Sequence, residues 1–317
     1  MVSTPRPATQ ERSIPDPPQV SVCICTFRRP EGLRLLLESL TRQENAPQFE
    51  VIVVDNEPGE TARTVASSFL ARLDLTYLAD ASPCLARARN RSVQAARGDV
   101  LAFADDDEEV PPAWLATHLA TLHRFNAAAT SGPVRYVFDP HIPDDIRGCR
   151  IFQRPALPTF ANLPWFWAFT GNACIRRSAL PDPDHPFAEH FGRTGGEDVD
   201  CFKRIAEAGG RLVFSGPDTC VTEHRDHARA NHAWIRRRAL RNGGNLADMQ
   251  WQQETRLRRV HYAAMCVKQG LAQTWRARGL ARHQPVEALN QRIDAWMNFG
   301  RALAVFGYRY PEYGARR

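Results

Sequence analysis

Between residues 20 and 104 the sequence alternates short apolar runs with stretches whose leucines recur at helical spacing. No other feature restricts the fold as much. Residues 20–25, 49–54 and 100–104 are runs rich in apolar and β-branched residues, too continuous for strands with one wet face. Leu33, Leu36, Leu37 and Leu40 trace one face of a helix opened by Pro30. Residues 61–73 and 85–96 read as two further helices, with a short strand at 75–78 between them. This β-α-β-α-β order predicts an α/β fold with a parallel sheet covered by helices on both sides. In such sheets ligands bind at the carboxyl ends of the strands. Gly-x-Gly-x-x-Gly does not occur, which disfavours hydride transfer with a dinucleotide.

Residues 130–190 are richer in proline and aromatic residues. There Trp165, Phe166, Trp167 and Phe169 form either a stacking platform for a sugar ring or lipid, or a core cluster. A strand at 173–175, a helix carrying Val199, Phe202, Ile205 and Ala206, and a strand at 212–214 follow. Beyond His224 the pattern is helical and rich in arginine, with a break expected at Gly243-Gly244. The 317 residues divide, on this reading, into a disordered leader (1–19), one large α/β domain (20–225) and a basic helical extension (226–317).

Charge follows that division. From His224 onward 18 basic residues stand against 6 acidic ones, a net of +12, whereas the rest of the chain carries −6. A basic amphipathic extension suits the anionic inner leaflet of a membrane, and a solvated helical face explains the same pattern. No recognisable nucleic-acid module accompanies it, and nucleic acid is not an expected partner. No apolar run is long enough to span a bilayer, and the polar, proline-rich start lacks a signal-peptide core. The expected location is the cytoplasm, with a peripheral position on the inner membrane if the extension docks there. The 8 cysteines lack structural-zinc spacing and read as reduced thiols.

Three acidic features carry candidate chemistry. Asp105, Asp106, Asp107, Glu108 and Glu109 crowd the end of a buried strand, where mutual repulsion calls for a cation. Hard oxygen donors at this spacing suit Mg²⁺ or Mn²⁺, and acidic residues before a helix start are the alternative. Asp55, closing the second strand, either accepts a hydrogen bond from a nucleobase or caps the next turn. Glu197-Asp198 follows two glycines at a helix start, where a carboxylate can take a proton from a hydroxyl or serve as a cap. His224, with His227 and His232 nearby, is either structural or a metal ligand.

Taken in order, Val22-Cys23-Ile24-Cys25-Thr26-Phe27-Arg28-Arg29-Pro30, Val53-Val54-Asp55-Asn56, Ala88-Arg89-Asn90, Phe103-Ala104-Asp105-Asp106-Asp107 and Gly196-Glu197-Asp198 resemble the inverting family 2 glycosyltransferases of GT-A fold. The opening and aspartate motifs look most like the succinoglycan-type exopolysaccharide glucosyltransferases of bacteria. The resemblance covers about residues 20–225 and implies an α/β fold with a mixed, mostly parallel sheet flanked by helices, and a nucleotide-sugar donor, most often a UDP-sugar, with Mn or Mg as the divalent cation. By position it places Thr26, Phe27, Arg28 and Asp55 at the base and ribose, with Arg87 or Arg89 facing the nucleotide. Asp105 would reach the ribose beside the metal, Asp107 would be the principal metal ligand and His224 a further one. Asp198 would be the general base and Glu197 would orient the acceptor. The Asn-x-Gly segment usual before Ala-Arg-Asn is replaced here by residues 79–83, and the Gln-x-x-Arg-Trp motif of processive synthases is absent. Addition of a single sugar to a glycan or lipid-linked oligosaccharide is therefore expected. A non-catalytic nucleotide-binding adaptor docking through the basic extension is the alternative. A nucleotidyltransferase ranks lower, because no phosphate-cradling glycine loop follows the first strand.

Overall fold

The computed structural model describes residues 19–82, 84–153, 157–192, 194–251 and 254–310. The expected disordered leader therefore lies almost wholly outside the described residues. The first half runs β1 (Val20–Thr26), α1 (Pro30–Leu40), β2 (Phe49–Asp55), α2 (Arg63–Ser68), β3 (Leu75–Ala79), α3 (Leu85–Ala95), β4 (Val100–Ala104), β5 (Glu108–Glu109), α4 (Trp114–Arg124), β6 (Ala129–Ser131), β7 (Val134–Phe138) and α5 (Asp144–Arg147). It continues through β8 (Asn172–Arg176), α6 (Glu197–Glu207), β9 (Leu212–Phe214), β10 (Val221–Arg225), α7 (His232–Trp251), α8 (Arg256–Leu280) and α9 (Pro285–Val305).

Seven strands form the main sheet in the order β3-β2-β1-β4-β8-β6-β9. β1 to β4 are parallel; β8 runs antiparallel to β4 and β6, and β9 is parallel to β6. The apolar runs are continuous because both faces are covered. Val20, Val22 and Ile24 pack on one side with Leu33, Leu36, Leu37, Trp114 and Leu115, from α1 and α4. Leu101 and Phe103 pack on the other side with Phe202 and Ile205 of α6. Beneath the sheet centre, buried His118 meets Thr130 Oγ1 at 2.8 Å and Asn172 Oδ1 at 3.0 Å. Burial holds its pKa down at about 4, so the ring stays neutral. All eight cysteines are free, as their spacing implied.

Three local expectations are corrected. The helix read over 61–73 is regular only at Arg63–Ser68 and continues as tight turns, with Phe69 N bonding Ala66 O and Arg72 N bonding Phe69 O. The last strand read from sequence is 212–214, but a further one, β10, includes His224 and joins β5 and β7 in a second, three-stranded sheet. Gly243 and Gly244 do not break a helix; α7 runs through both. A Cβ on Gly243 would stand 2.0 Å from Met297 O, and one on Gly300 would stand 2.0 Å from Leu240 O. The glycines are there so that α7 and α9 can touch backbone to backbone. Residues 142–152 fill the adjoining space, with Ile146 and Phe152 packed on Trp234, Ile235, Leu289 and Ile293. No helix among the described residues is long and apolar enough to cross a membrane.

Candidate active site

The turns that follow β1, β2 and β4 converge at the carboxyl edge of the sheet, and Asp106 ties two of them together. It is buried, and its Oδ2 accepts from Thr26 Oγ1 at 2.9 Å and from Phe27 N at 3.3 Å. Its Oδ1 lies 2.6 Å from Arg29 Nη1, which also reaches Asp107 Oδ2 at 3.0 Å. Asp107 Oδ2 collects two more guanidinium groups, Arg229 at 3.0 Å and Arg225 at 3.7 Å. Burial pushes the Asp106 carboxyl up to about 6, against the pull of Arg29, and raises Asp107 and Glu108 as well. Asp106 and Asp107 are thus already paired with guanidinium groups.

A second pair of carboxylates stands at the start of α6. Gly195 and Gly196 have φ of +70° and +101°, a left-handed turn that a side chain would strain, and it aims Glu197 and Asp198 at the sheet edge. Asn245 of α7 clamps this turn through bonds from Nδ2 to the carbonyls of Gly195 and Thr194. Asp198 is half-buried, with Oδ1 accepting from Val199 N at 2.8 Å and Oδ2 from Thr170 N at 3.5 Å. Glu197 is buried against Arg89 Nη1, and Arg89 Nη2 reaches Asp105 Oδ1 at 3.3 Å. Arg89 therefore bridges the two acidic stations. Burial opposes its charge, but Glu197, Asp105 and Asp198 outweigh burial and keep it protonated. Burial pushes Glu197 up to about 7, beyond what Arg89 offsets, and Asp198 adds to the rise. Glu197 Oε2 and Thr170 Oγ1 are buried and have no hydrogen-bond partner among the described residues. Both supply polar contacts that a bound hydroxyl compound can satisfy.

The remaining expected site residues are placed as follows. Asp55 is fully buried, and its oxygens accept from Glu57 N (3.2 Å), Ala62 N (3.1 Å) and Tyr77 Oη (2.9 Å). In this arrangement it caps the turn after β2, the second of the two roles open to it, and does not present a free carboxylate. Arg28 takes a positive φ of 56° and extends over the Phe27 ring to Glu57 Oε1 at 3.3 Å, leaving both side chains exposed at the edge. Arg87 leans on buried Asp80 at 3.4 Å, away from the acidic stations. Arg89, expected at the nucleotide, is engaged by the carboxylates just described. The backbone N of His224 donates to Asp107 O at 3.4 Å, but its ring does not reach the Asp107 carboxylate: strand alternation points it opposite to Glu223 and Arg225, and its Nε2 lies 2.9 Å from Glu109 Oε1. Trp165 is half-buried against the core, whereas Phe166 and Trp167 are exposed, so the aromatic group is not one core cluster. The sequence names Asp106 only as one of the acidic run and Arg29 only within the opening motif, and it assigns no site role to Arg225, Arg229 or Asn245. The signal available for the arginines was electrostatic: five consecutive carboxylates need cations, and arginines follow both β1 and β10.

The donor set fits a divalent cation. Asp105 and Asp107 offer hard oxygens, and Asp105 is 48% exposed at the side chain. Among the described residues no three His, Cys, Asp or Glu side chains form a metal cluster. A hydrated Mg²⁺-type ion held by one or two carboxylates and substrate phosphates needs none.

The family model described as "Glycosyl transferase family 2" matches residues 21–180, which include both turns of the acidic cluster and Arg89. This chain belongs to glycosyl transferase family 2. It is 35% identical over 229 residues to the succinoglycan biosynthesis protein ExoM of Rhizobium meliloti, covering 71% of this chain and 72% of that one. It is 29% identical to validoxylamine A glucosyltransferase of Streptomyces hygroscopicus subsp. limoneus, over 62% of this chain and 50% of that one. Solved structures share its fold. S. aureus TarS 1–349 in complex with UDP-GlcNAc matches with a TM-score of 0.55 at 15% identity, covering 92% and 93% of the two chains. The mannosyltransferase PcManGT of Pyrobaculum calidifontis, in complex with GDP-Man and Mn²⁺, matches with a TM-score of 0.54 at 18% identity, covering 92% and 74%. The family 2 chain is thus a glycosyltransferase with the GT-A arrangement expected from its motifs.

Proposed function

We propose that this glycosyltransferase moves one sugar from a nucleotide-sugar, in the first instance a UDP-sugar, to a hydroxyl of a glycan or lipid-linked oligosaccharide in surface or exopolysaccharide assembly, with inversion at the anomeric carbon. The observation that carries this reading is the Arg89 bridge, which fixes a donor-side carboxylate, Asp105, relative to Glu197 and its neighbour Asp198. The succinoglycan protein and the glucosyltransferase among its relatives support the substrate class.

In this mechanism Asp198, at the amino end of α6, takes the proton of the acceptor hydroxyl while Glu197 and Thr170 hold that hydroxyl's surroundings. The acceptor oxygen bonds to the anomeric carbon as the bond from that carbon to the diphosphate oxygen breaks, and the electron pair leaves with the nucleoside diphosphate. Arg29, Arg225 and Arg229 converge on Asp107 Oδ2, and on this reading they exchange it for phosphate oxygens as that charge develops. A divalent ion, Mn²⁺ or Mg²⁺, held by Asp105 and Asp107 would supply further neutralisation of the diphosphate when bound. The test is a panel of UDP- and GDP-sugars with each ion, reading nucleoside diphosphate release and the product's anomeric configuration. Release of pyrophosphate, or retention of configuration, would overturn the proposal.

A further inference from the structure

Helix α8 is built the wrong way round for a helix that serves only its own chain. Its buried residues are the small ones, Ala263, Cys266, Gly270 and Ala277, and α9 is its principal packing partner. A Cβ on Gly270 would come 2.6 Å from the Phe299 ring, so the seam is too tight for larger side chains. The large apolar residues face outward: Leu257 is 85% exposed, Leu271 60% and Trp275 75%, with Val260 and Val267 also exposed. Leu257, Val260, Ala264, Val267 and Leu271 stand alternately three and four residues apart, with Trp275 one turn on, so they form one stripe about five turns long. The surrounding charge has one sign. The 25-residue helix carries Arg256, Arg258, Arg259, Lys268, Arg276 and Arg278 and no carboxylate. Where α9 ends, beside Ala263 and Cys266 of α8, Phe306 and Tyr308 are exposed as well.

We infer that α8 lies on the surface of an anionic lipid bilayer, with the Leu257–Trp275 stripe among the acyl chains and the arginines and Lys268 at the headgroups. Charge decides between the occupants. A second copy packed along the stripe would bring Lys268 and the arginines of one α8 towards those of the other with no carboxylate on either helix, whereas acidic headgroups complement them. Trp275 has the amphipathic character favoured at that interface. This placement rests on α8 and not on α7, whose Trp234, Ile235 and Leu240 are buried against their neighbours and cannot reach a membrane. It is independent of the reaction proposed above.

The test is flotation of the full chain with vesicles of phosphatidylcholine alone and with vesicles containing roughly one third phosphatidylglycerol. About tenfold more protein should float with the anionic vesicles. Both Leu271→Glu/Trp275→Glu and Lys268→Glu/Arg278→Glu should cut that binding by about tenfold, with unchanged thermal melting showing that the fold is intact. Absence of flotation with anionic vesicles, or flotation that neither double variant reduces, would overturn the inference. So would a concentration-dependent dimer, dissociated by Leu271→Glu/Trp275→Glu, in a protein that binds no vesicles; that result assigns the stripe to a second copy.

Discussion

The carboxyl edge of the sheet and the α8–α9 hairpin solve opposite problems. At the sheet edge charge is buried: Asp106, Glu108, Glu197 and Arg89 are all under a tenth exposed, and Asp106, Glu197 and Arg89 are held in ion pairs drawn from distant parts of the chain. In α8 apolar surface is exposed, while the packed seam is made of alanine, cysteine and glycine. A buried charge network is costly unless every member is satisfied, so it rigidifies the edge around positions where a ligand's charge can be exchanged for a side chain's. Exposed leucine and tryptophan stabilise nothing in the isolated chain, and their ordered spacing points outward to something the chain meets. α7 belongs to both regions, since Gly243 seats it on α9 while Asn245 holds the turn that aims Asp198.

The sharpest test of the sheet edge is Asp198→Asn, which keeps the shape and removes the carboxylate proposed as base. Turnover should fall by about 10³-fold while donor affinity stays within about twofold, measured by single-turnover product formation and by titration with nucleotide-sugar. Turnover near that of the unaltered protein would take Asp198 out of the base role. A smaller effect tests whether the helical region is separable from the chemistry. Asn245→Ala leaves the Gly195 and Thr194 carbonyls without their clamp and should lower kcat by about tenfold with KM for donor unchanged. An unaltered kcat would show that the α6 turn holds itself, and the two regions would then be energetically independent.

The strands were legible because burial on two faces writes itself as an uninterrupted apolar run, as in β1, β2 and β4. The second sheet was not, because β5 is two glutamates and β10 includes Glu223, His224 and Arg225; those strands exist through pairing and ion pairs, not through apolar pattern. Gly243-Gly244 read as a helix break because helix propensity is local, whereas the contact that needs Gly243 comes from Met297, 54 positions away. At the site, the acidic stations stood out because each is contiguous in sequence. Their partners Arg29, Arg225 and Arg229 are spread over 200 positions and become neighbours only when β1, β4 and β10 meet. Asp55 illustrates the limit in the other direction. A lone carboxylate at a strand end has the same sequence whether it faces a base or, as here, two backbone donors of its own turn and the Tyr77 hydroxyl of β3.

Gly243→Ala probes the shared helix from its other side. A methyl group 2.0 Å from Met297 O must push α7 and α9 apart, at a cost of about 1–3 kcal/mol. The expected result is a lower midpoint in urea with an unchanged slope. A midpoint equal to that of the unaltered chain would mean that the two helices have room to part.

The smallest effect is electrostatic. Burial holds the Glu197 carboxyl at about 7 in the folded chain, and in the unfolded chain it returns to the ordinary value of 4.5. Between those values the folded state keeps a proton that the unfolded state has released, so its contribution to stability is complete below pH 4.5 and is lost as pH rises through 7. Asp106, Asp107 and Glu108 are raised for the same reason and act with the same sign. The unaltered protein should therefore lose stability steadily as pH rises across this range. Glu197→Gln should remove up to about one proton from that dependence and leave a shallower decline carried by the other three groups. Denaturant midpoints at half-unit pH intervals measure the slopes. If the two curves run parallel, Glu197 is ionised throughout the range, and the Arg89 bridge is a full ion pair that outweighs burial.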